Sequence, residues 1–309
     1  MLTIYKSTEQ GTEQLESIAN GAWVNVVEPT AEETQQLVDW GIEPDYINYS
    51  LDLDELPRME RDEDFTFILI RIPHRQPESD IPYITIPLGI IIKGNMVVTI
   101  CRHDKEMFKV LVNGKYRLLK TGKRYRFALY IFLEAATRYL AHLGEINRMT
   151  EAIEDQLEKS TRNREVLELL KYQKSLTYFA TALRSNEVMM ERVQRTQMFN
   201  QYEEDKDLLE DVLTENQQAI QMTNIASDLL AALMDAFASI ISNNLNGVMK
   251  ILAAITIITA LPGTVGAFFG MNVLLPLSDT SPFSFFAILG MAVALSAVAT
   301  YVFYRRDWF

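Results

Sequence analysis

One stretch of this sequence offers oxygen atoms to an ion but has no ionisable side chain. Between Lys250 and Asp279 no side chain can ionise. A proton-coupled carrier usually keeps a carboxylate or a histidine inside the membrane, so this stretch argues against proton coupling and favours a passive pathway. Its oxygen atoms come from threonine hydroxyls and from backbone carbonyls freed near Pro262, because proline has no amide hydrogen to donate. The threonines are Thr256, Thr259 and Thr264.

Motifs of the common enzyme classes are missing from the sequence. It contains neither of the glycine-rich phosphate loops GxGxxG and GxxxxGKS/T, and no Gly-x-Ser-x-Gly nucleophile elbow. The histidines His74, His103 and His142 are scattered without metal-ligand spacing. Cys101 is the only cysteine, so an intramolecular disulfide is excluded. The sequence therefore predicts a protein that is not an enzyme and holds no organic cofactor.

The charge balance of the chain is acidic. Its 309 residues include 41 Asp and Glu against 29 Lys and Arg, which gives a net charge of -12. A nucleic-acid-binding protein needs a basic surface, so nucleic acid is not expected as a partner. An acidic protein suits the attraction of cations.

Two uncharged runs, residues 251–269 and 283–304, are predicted to cross a lipid bilayer. A helix over the first run would be about 28 Å long, close to the ~30 Å hydrocarbon core of a membrane. Lys250 precedes the first run, and cytoplasmic flanks prefer lysine and arginine. The protein is therefore expected in the cell (inner) membrane, with both termini in the cytoplasm. Residues 270–282 would form the outer loop, and residues 305–309 would form a basic cytoplasmic tail.

The residues before these runs are predicted to form an α+β cytoplasmic domain and a long helical stalk. Residues 1–127 contain β-branched and aromatic runs separated by turn residues, which is typical of strands. Residues 128–250 are rich in helix formers and contain no proline. The predicted strands are residues 2–6, 23–27, 65–72, 84–92 and 96–101, and the predicted helices are about 31–40, 104–113, 125–160, 164–200 and 205–269. The last helix would be about 90 Å long, and from Leu208 onwards its apolar residues recur every three or four positions as a stripe along one face. A helix of this length is not stable by itself, so it needs partners along the stripe, which predicts an oligomer.

A tripeptide directly after the first uncharged run identifies a family. Gly270-Met271-Asn272, in the context Phe268 to Val273, resembles the filter motif of the CorA family of divalent-cation channels. Its position between two C-terminal spans, after a long helix and an acidic domain, strengthens the resemblance. The segments Ser242 to Lys250, Pro29 to Glu33 and Arg305 to Phe309 are also similar, so the resemblance covers essentially the full chain.

The resemblance implies a homopentameric funnel whose first span lines a central pore. Gly270, Met271 and Asn272 would form the selectivity filter. On the helix before the filter, the resemblance implies an inner polar ring at Asn246 and a hydrophobic gate that includes Leu252, with Met249 between these two. It also implies an acidic position at Asp235, farther down the funnel. It also implies a regulatory Mg²⁺ site at subunit interfaces. Asp211 would supply one half of this site, and the candidates for the other half are Asp52, Asp54 and Glu55, among which the sequence does not choose.

The expected function is passive transport of hydrated Mg²⁺, and of Co²⁺ or Ni²⁺, with Mg²⁺ as both cargo and regulator. Mg²⁺ gives up its water reluctantly, and neutral oxygens at Asn272 and Gly270 can bind the hydration shell without removing it. Two alternatives stay open. One is a Zn²⁺ transporter of the same superfamily, whose members usually carry valine where this chain has Met271. The other is a membrane-anchored sensor or scaffold that conducts no ions.

Overall fold

The chain divides into two compact units, Met1–Met234 and Asp235–Phe309. The computed structural model describes residues 1–8, 11–62, 65–103, 105–116, 118–157, 163–199, 202–271 and 282–308. The strands are β1 (Leu2–Ser7), β2 (Thr12–Leu15), β3 (Trp23–Val27), β4 (Arg58–Asp62), β5 (Phe65–Arg75), β6 (Tyr83–Lys93) and β7 (Met96–Cys101). The helices are α1 (Ala31–Asp39), α2 (Pro44–Leu51), α3 (Lys105–Val112), α4 (Arg124–Leu157), α5 (Asn163–Gln194), α6 (Glu203–Phe269) and α7 (Pro282–Arg305), with a 3-10 turn at Gln197–Phe199.

The first unit is built on one seven-stranded sheet with the order β2-β1-β3-β7-β6-β5-β4. Its neighbouring strands are antiparallel except β3 and β7, which are parallel. Since β7 and β5 are both antiparallel to β6, the strands β3, β7 and β5 all run in the same direction. Their carboxyl ends therefore lie at the same edge of the sheet.

Helices cover both faces of this sheet, which explains why its central strands are apolar on both sides. Along β5, Ile68 and Ile70 belong to a core that also contains Phe127 and Phe132 of α4. The intervening residues of β5 face the other way, into a second core formed with α1 and α2. Side chains alternate between the two faces of a strand, so one continuous apolar run supplies both cores.

The predicted fold class is confirmed, with differences at the edges of the sheet. The five predicted strands and the long helices are present, although β5 and β6 are longer than predicted and α5 ends at Gln194 before a 3-10 turn. The sequence did not reveal β2, β4 or α2. Both unpredicted strands are at the edges, where a strand needs no apolar face, and their sequences are TEQL and RMERD.

The first turn of α1 carries a capping box. The Thr30 hydroxyl accepts a hydrogen bond from the Glu33 amide at 3.2 Å, and the Glu33 carboxylate accepts one from the Thr30 amide at 2.9 Å. We expect Thr30→Ala to lower the free energy of unfolding by about 1 kcal/mol, because the helix loses this N-cap. Urea unfolding of the detergent-solubilised protein measures the change. Thr30→Ser keeps the hydroxyl and should stay at the wild-type value; an equal loss in both variants would contradict the cap.

The second unit contains the C-terminal part of α6 and the helix α7. Two helices, Glu203–Phe269 and Phe283–Arg305, contain stretches that are long and apolar enough to cross a membrane. In the single chain many of their large apolar side chains are exposed, among them Ile255, Leu295 and Val298. An exposed apolar surface of this extent requires lipid or another protein surface around it.

Candidate ion pathway

The helix α6 ends at Phe269, immediately before the predicted filter. The Gly270 amide donates to the Gly266 carbonyl at 2.9 Å, and the Met271 amide donates to the Phe268 carbonyl at 3.4 Å. A Cβ atom at position 270 would lie 3.2 Å from the Gly266 oxygen, which is tighter than an ordinary contact. Glycine therefore suits the tight end of this helix. The third filter residue, Asn272, lies outside the described residues.

The threonine hydroxyls of the first span are bonded to their own helix. Thr256 donates to the Leu252 carbonyl at 2.7 Å, and Thr264 donates to the Ala260 carbonyl at 3.0 Å. The hydroxyl of Thr259 likewise donates to the carbonyl one turn earlier. Each hydroxyl oxygen still has lone pairs that can accept a hydrogen bond from water.

A proline inside α6 frees one backbone carbonyl, and a serine of α7 reaches it. Pro262 has no amide hydrogen, so the Ile258 carbonyl loses the hydrogen bond that residue 262 would otherwise donate. The Ser296 hydroxyl donates to this Ile258 oxygen at 3.4 Å. A carbonyl that loses its helical hydrogen bond within a membrane needs another hydrogen-bond donor, because lipid tails offer none. The bond therefore links the two membrane helices at the point where proline interrupts the first.

We expect Ser296→Ala to destabilise the protein by about 0.6 kcal/mol, a typical value for a hydrogen bond between membrane helices. In a Pro262→Ala background the amide of residue 262 can donate to the Ile258 carbonyl, so the same serine substitution should cost much less. Unfolding titrations in mixed detergent micelles of the four proteins measure this coupling. Equal effects of Ser296→Ala in both backgrounds would contradict the role assigned to the serine.

Four predicted pore residues are exposed on α6 in the single chain. Asp235 and Asn246 are exposed, as are Met249 and Leu252, whose exposed fractions are 56% and 57%. Residues three apart on a helix are neighbours, so Asn246, Met249 and Leu252 follow one another along the surface. Large apolar side chains this exposed call for a partner surface, as the first span of a multi-subunit pore would provide.

The C-terminal tail lies beside two of these residues. Asn246 and Met249 line a cavity of about 750 Å³ together with Lys250, Asp307 and Trp308. The Trp308 ring stacks on the Phe303 ring with the centroids 4.9 Å apart, and the Trp308 amide donates to the Phe303 carbonyl at 3.1 Å. The position of the tail beside the start of the first span was not predicted from the sequence.

The candidate regulatory carboxylates of the first domain lie on a loop that is fixed by Arg71. The Arg71 guanidinium donates to the carbonyls of Leu53 and Glu55 at 2.8 and 2.9 Å. Burial lowers the pKa of Arg71, and the negative charges of Asp54 and Asp52 act in the opposite direction. The half-buried Arg71 cation therefore holds the loop in place, and the charges of both aspartates act on it.

The three carboxylates of this loop differ in their partners. The Asp52 carboxylate accepts a hydrogen bond from the Asp54 amide at 3.1 Å, and both side chains are exposed. The Glu55 carboxylate forms an ion pair with Arg58. Asp211 is exposed on α6. Within the part of one chain that the structure describes, no three His, Cys, Asp or Glu side chains come together as a metal site.

Comparison with known proteins decides the family. The family model described as CorA-like Mg²⁺ transporter protein matches residues 19–305. The chain belongs to the CorA family. The CorA cobalt/magnesium transport protein of Methanocaldococcus jannaschii is 32% identical over 298 residues, which cover 93% of this chain and 90% of that protein.

Solved structures agree with this fold over nearly the whole chain. The complete structure of the CorA magnesium transporter from Methanocaldococcus jannaschii superposes with a TM-score of 0.85 at 26% identity, covering 100% of this chain and 99% of that one. The full-length CmaX protein shares the fold, with a TM-score of 0.70 at 16% identity over 98% of this chain and 96% of that one. Membership of the CorA family and the two apolar helices make this a membrane protein.

Proposed function

We propose that this CorA-family chain is a magnesium channel that also passes Co²⁺ or Ni²⁺ and works as a homopentamer. One observation carries the proposal. The first span has no ionisable side chain and leads into Gly270-Met271-Asn272. Two positive charges that cross a potential of ~100 mV gain about 4.6 kcal/mol, so passive entry needs no coupled proton. Both termini would lie in the cytoplasm.

In this proposal the filter binds the hydration shell of the ion and not the bare ion. Asn272 amides and Gly270 carbonyls from five subunits would accept hydrogen bonds from the water around Mg²⁺. Mg²⁺ loses its water reluctantly, so a ring that leaves the shell intact avoids a large dehydration cost. Neutral oxygens also bind weakly enough to release the ion, which conduction requires.

The gate would lie at the cytoplasmic end of the first span. Asn246 would form a polar ring, and Leu252 with Met249 a hydrophobic constriction that stops ions when it loses water. The exposure of Met249 and Leu252 in the single chain supports this, since a pore would bring five copies of this surface together. Asp235 would form an acidic ring farther into the cytoplasm.

Cytoplasmic Mg²⁺ would close the channel at the interfaces between subunits. Asp211 of one subunit and an aspartate of the neighbouring loop would repel each other until Mg²⁺ bridges them. Asp52 and Asp54 fit this role better than Glu55, because the Glu55 carboxylate is already paired with Arg58. Loss of Mg²⁺ would let the subunits separate and widen the constriction at Leu252.

We expect Asp211→Ala to raise the internal Mg²⁺ concentration that half-inhibits uptake by about tenfold, the effect of losing roughly 1.4 kcal/mol of binding energy. Uptake into proteoliposomes preloaded with graded Mg²⁺ concentrations measures it. Asp228→Ala is the matched control, since Asp228 is also an exposed aspartate of α6. Asp52→Ala and Asp54→Ala then identify the partner. Unchanged inhibition in Asp211→Ala would contradict this site.

The experiment that tests the transported ion uses purified protein in liposomes that contain an indicator for Mg²⁺ or for Zn²⁺. The proposal predicts Mg²⁺ uptake that exceeds Zn²⁺ uptake, and five chains per particle by native mass spectrometry. Zn²⁺ uptake without Mg²⁺ uptake would favour the zinc transporter. Mg²⁺-dependent assembly without any flux would favour a sensor or scaffold.

A further inference from the structure

A cavity of about 490 Å³ lies at the edge of the sheet where β3, β7 and β5 end. Val27 ends β3 and pairs with Cys101, which ends β7. Arg75 ends β5, whose last residues extend beyond the end of β7. In open, mostly parallel sheets with helices on both faces, ligands bind outside the carboxyl ends of the strands, and β3 and β7 are the parallel pair of this sheet.

The cavity gathers cationic and imidazole side chains from separate elements of the fold. Three arginines and all three histidines of the protein line it, together with two glutamates. They are Arg75, Arg102, Arg138, His74, His103, His142, Glu28 and Glu106. The rings of His74 and His103 stack with their centroids 5.5 Å apart. These residues come from four segments, at residue 28 and in ranges 74–75, 102–106 and 138–142, and only the fold brings the four segments together.

The local charge of the cavity is opposite to that of the whole chain. Glu106 forms an ion pair with Lys109 at 2.5 Å. Glu145, which contacts the lining His142 at 3.4 Å, adds a third carboxylate beside the cavity. When Lys109 and Glu145 are both counted, four cations are close to three carboxylates before any histidine gains a proton. The net charge of the protein is -12, so a positive cavity is a local exception. A positive cavity with concave walls concentrates anions.

The donors suit an oxyanion better than a metal ion. Guanidinium groups offer paired N–H donors in a plane that match two oxygens of a phosphate. Among the residues that the structure describes, no three His, Cys, Asp or Glu side chains are arranged to hold a metal. The volume of about 490 Å³ lies within the range of ~300–1,000 Å³ that is typical of small-molecule sites.

We infer that this cavity binds a small phosphorylated molecule, with its phosphate group held by Arg75, Arg102 and Arg138. Arg75 is the last residue of β5, Arg102 directly follows β7, and Arg138 reaches the cavity from α4. Three guanidinium groups can thus approach one phosphate from different sides. The remaining volume holds the rest of the ligand, next to the stacked imidazoles of His74 and His103.

Equilibrium dialysis of the full-length, detergent-solubilised protein against ³²P-labelled inorganic phosphate tests this inference. The buffer contains chloride and no Mg²⁺. We expect one saturable site per chain. Arg75→Gln and Arg102→Gln should each weaken binding at least tenfold, and both side chains are exposed, so their replacement should leave the fold intact. Arg195→Gln is the matched control, because Arg195 is an exposed arginine directly after α5 and outside the cavity.

Competition then separates free phosphate from a larger phosphorylated molecule. Unlabelled ATP and glucose 6-phosphate are added at equal concentration to the dialysis. Displacement by either one at a lower concentration than by unlabelled phosphate supports a phosphorylated small molecule. Two results would overturn the inference: no saturable phosphate binding to the wild type, or unchanged binding in the Arg75→Gln, Arg102→Gln double variant. Circular dichroism and gel filtration confirm that each variant is folded.

Discussion

Asn272→Ala is expected to reduce Mg²⁺ uptake by about a hundredfold or more, while the protein stays folded and oligomeric. A pentameric filter would lose five amide groups at once. The loss of only two net hydrogen bonds of about 1.4 kcal/mol each already gives about a hundredfold. Uptake is measured with a Mg²⁺ indicator inside proteoliposomes, and Asn113→Ala serves as control, since Asn113 is an exposed asparagine of the first unit.

A second variant at this position separates a filter role from a structural one. Asn272→Asp keeps the size of the side chain but creates a ring of carboxylates. Such a ring should bind a divalent ion too tightly to release it quickly, so uptake falls and saturates at a lower Mg²⁺ concentration. A residue that only caps the C-terminal end of α6 would donate its amide hydrogens to the last carbonyls of the helix, and aspartate has no such donor. A cap role therefore predicts a less stable protein whose uptake saturates at the wild-type Mg²⁺ concentration. Wild-type uptake in Asn272→Ala would contradict the filter.

Arg126→Met is expected to lower the free energy of unfolding by about 3–5 kcal/mol, the usual cost of breaking a buried ion pair. Arg126 of α4 forms ion pairs with Glu204 and Asp205 at the start of α6. The side chains of Arg126 and Asp205 are only 5% and 7% exposed. Removing the arginine leaves the Asp205 carboxylate buried without its cation. Urea unfolding in detergent, followed by circular dichroism, measures the loss.

The two carboxylates that pair with Arg126 provide the controls. Glu204 is 70% exposed, so Glu204→Ala should cost less than about 1 kcal/mol. The double variant Arg126→Met, Asp205→Leu removes both buried charges and should recover most of the stability. Recovery is expected because the Arg126 Nη2 atom has no hydrogen-bond partner among the described residues. A double variant as unstable as Arg126→Met alone would contradict this explanation.

The parts of the fold that the sequence revealed are those with a strong apolar pattern. The strands β5 and β6 are buried on both faces, so they are continuous apolar runs with few alternative structures. The 67-residue helix α6 was predicted within two residues at its start, because its apolar residues recur every three or four positions from Leu208 onwards. The edge strand β4 has the sequence RMERD, and its pairing with β5 is set by the tertiary fold and not by its composition.

The candidate site could be predicted only where neighbours in sequence are also neighbours in space. Gly270 and Met271 follow α6 directly, so their place after the first span could be read from the chain. The bond between Ser296 and Ile258 depends on how two helices pack, and 38 residues separate the two. The stacking of His74 on His103 could not be predicted for the same reason, because the two histidines are 29 residues apart in sequence and only the fold brings their rings together.

The most direct test of a passive magnesium channel is the dependence of uptake on membrane potential. Proteoliposomes that contain a Mg²⁺ indicator are given inside-negative potentials of increasing size by K⁺ diffusion with valinomycin, with and without a pH gradient. A channel predicts uptake that increases with the potential and does not respond to the pH gradient, because residues 251–269 contain no group that can carry a proton. Uptake that requires an inward proton gradient and ignores the potential would contradict the channel.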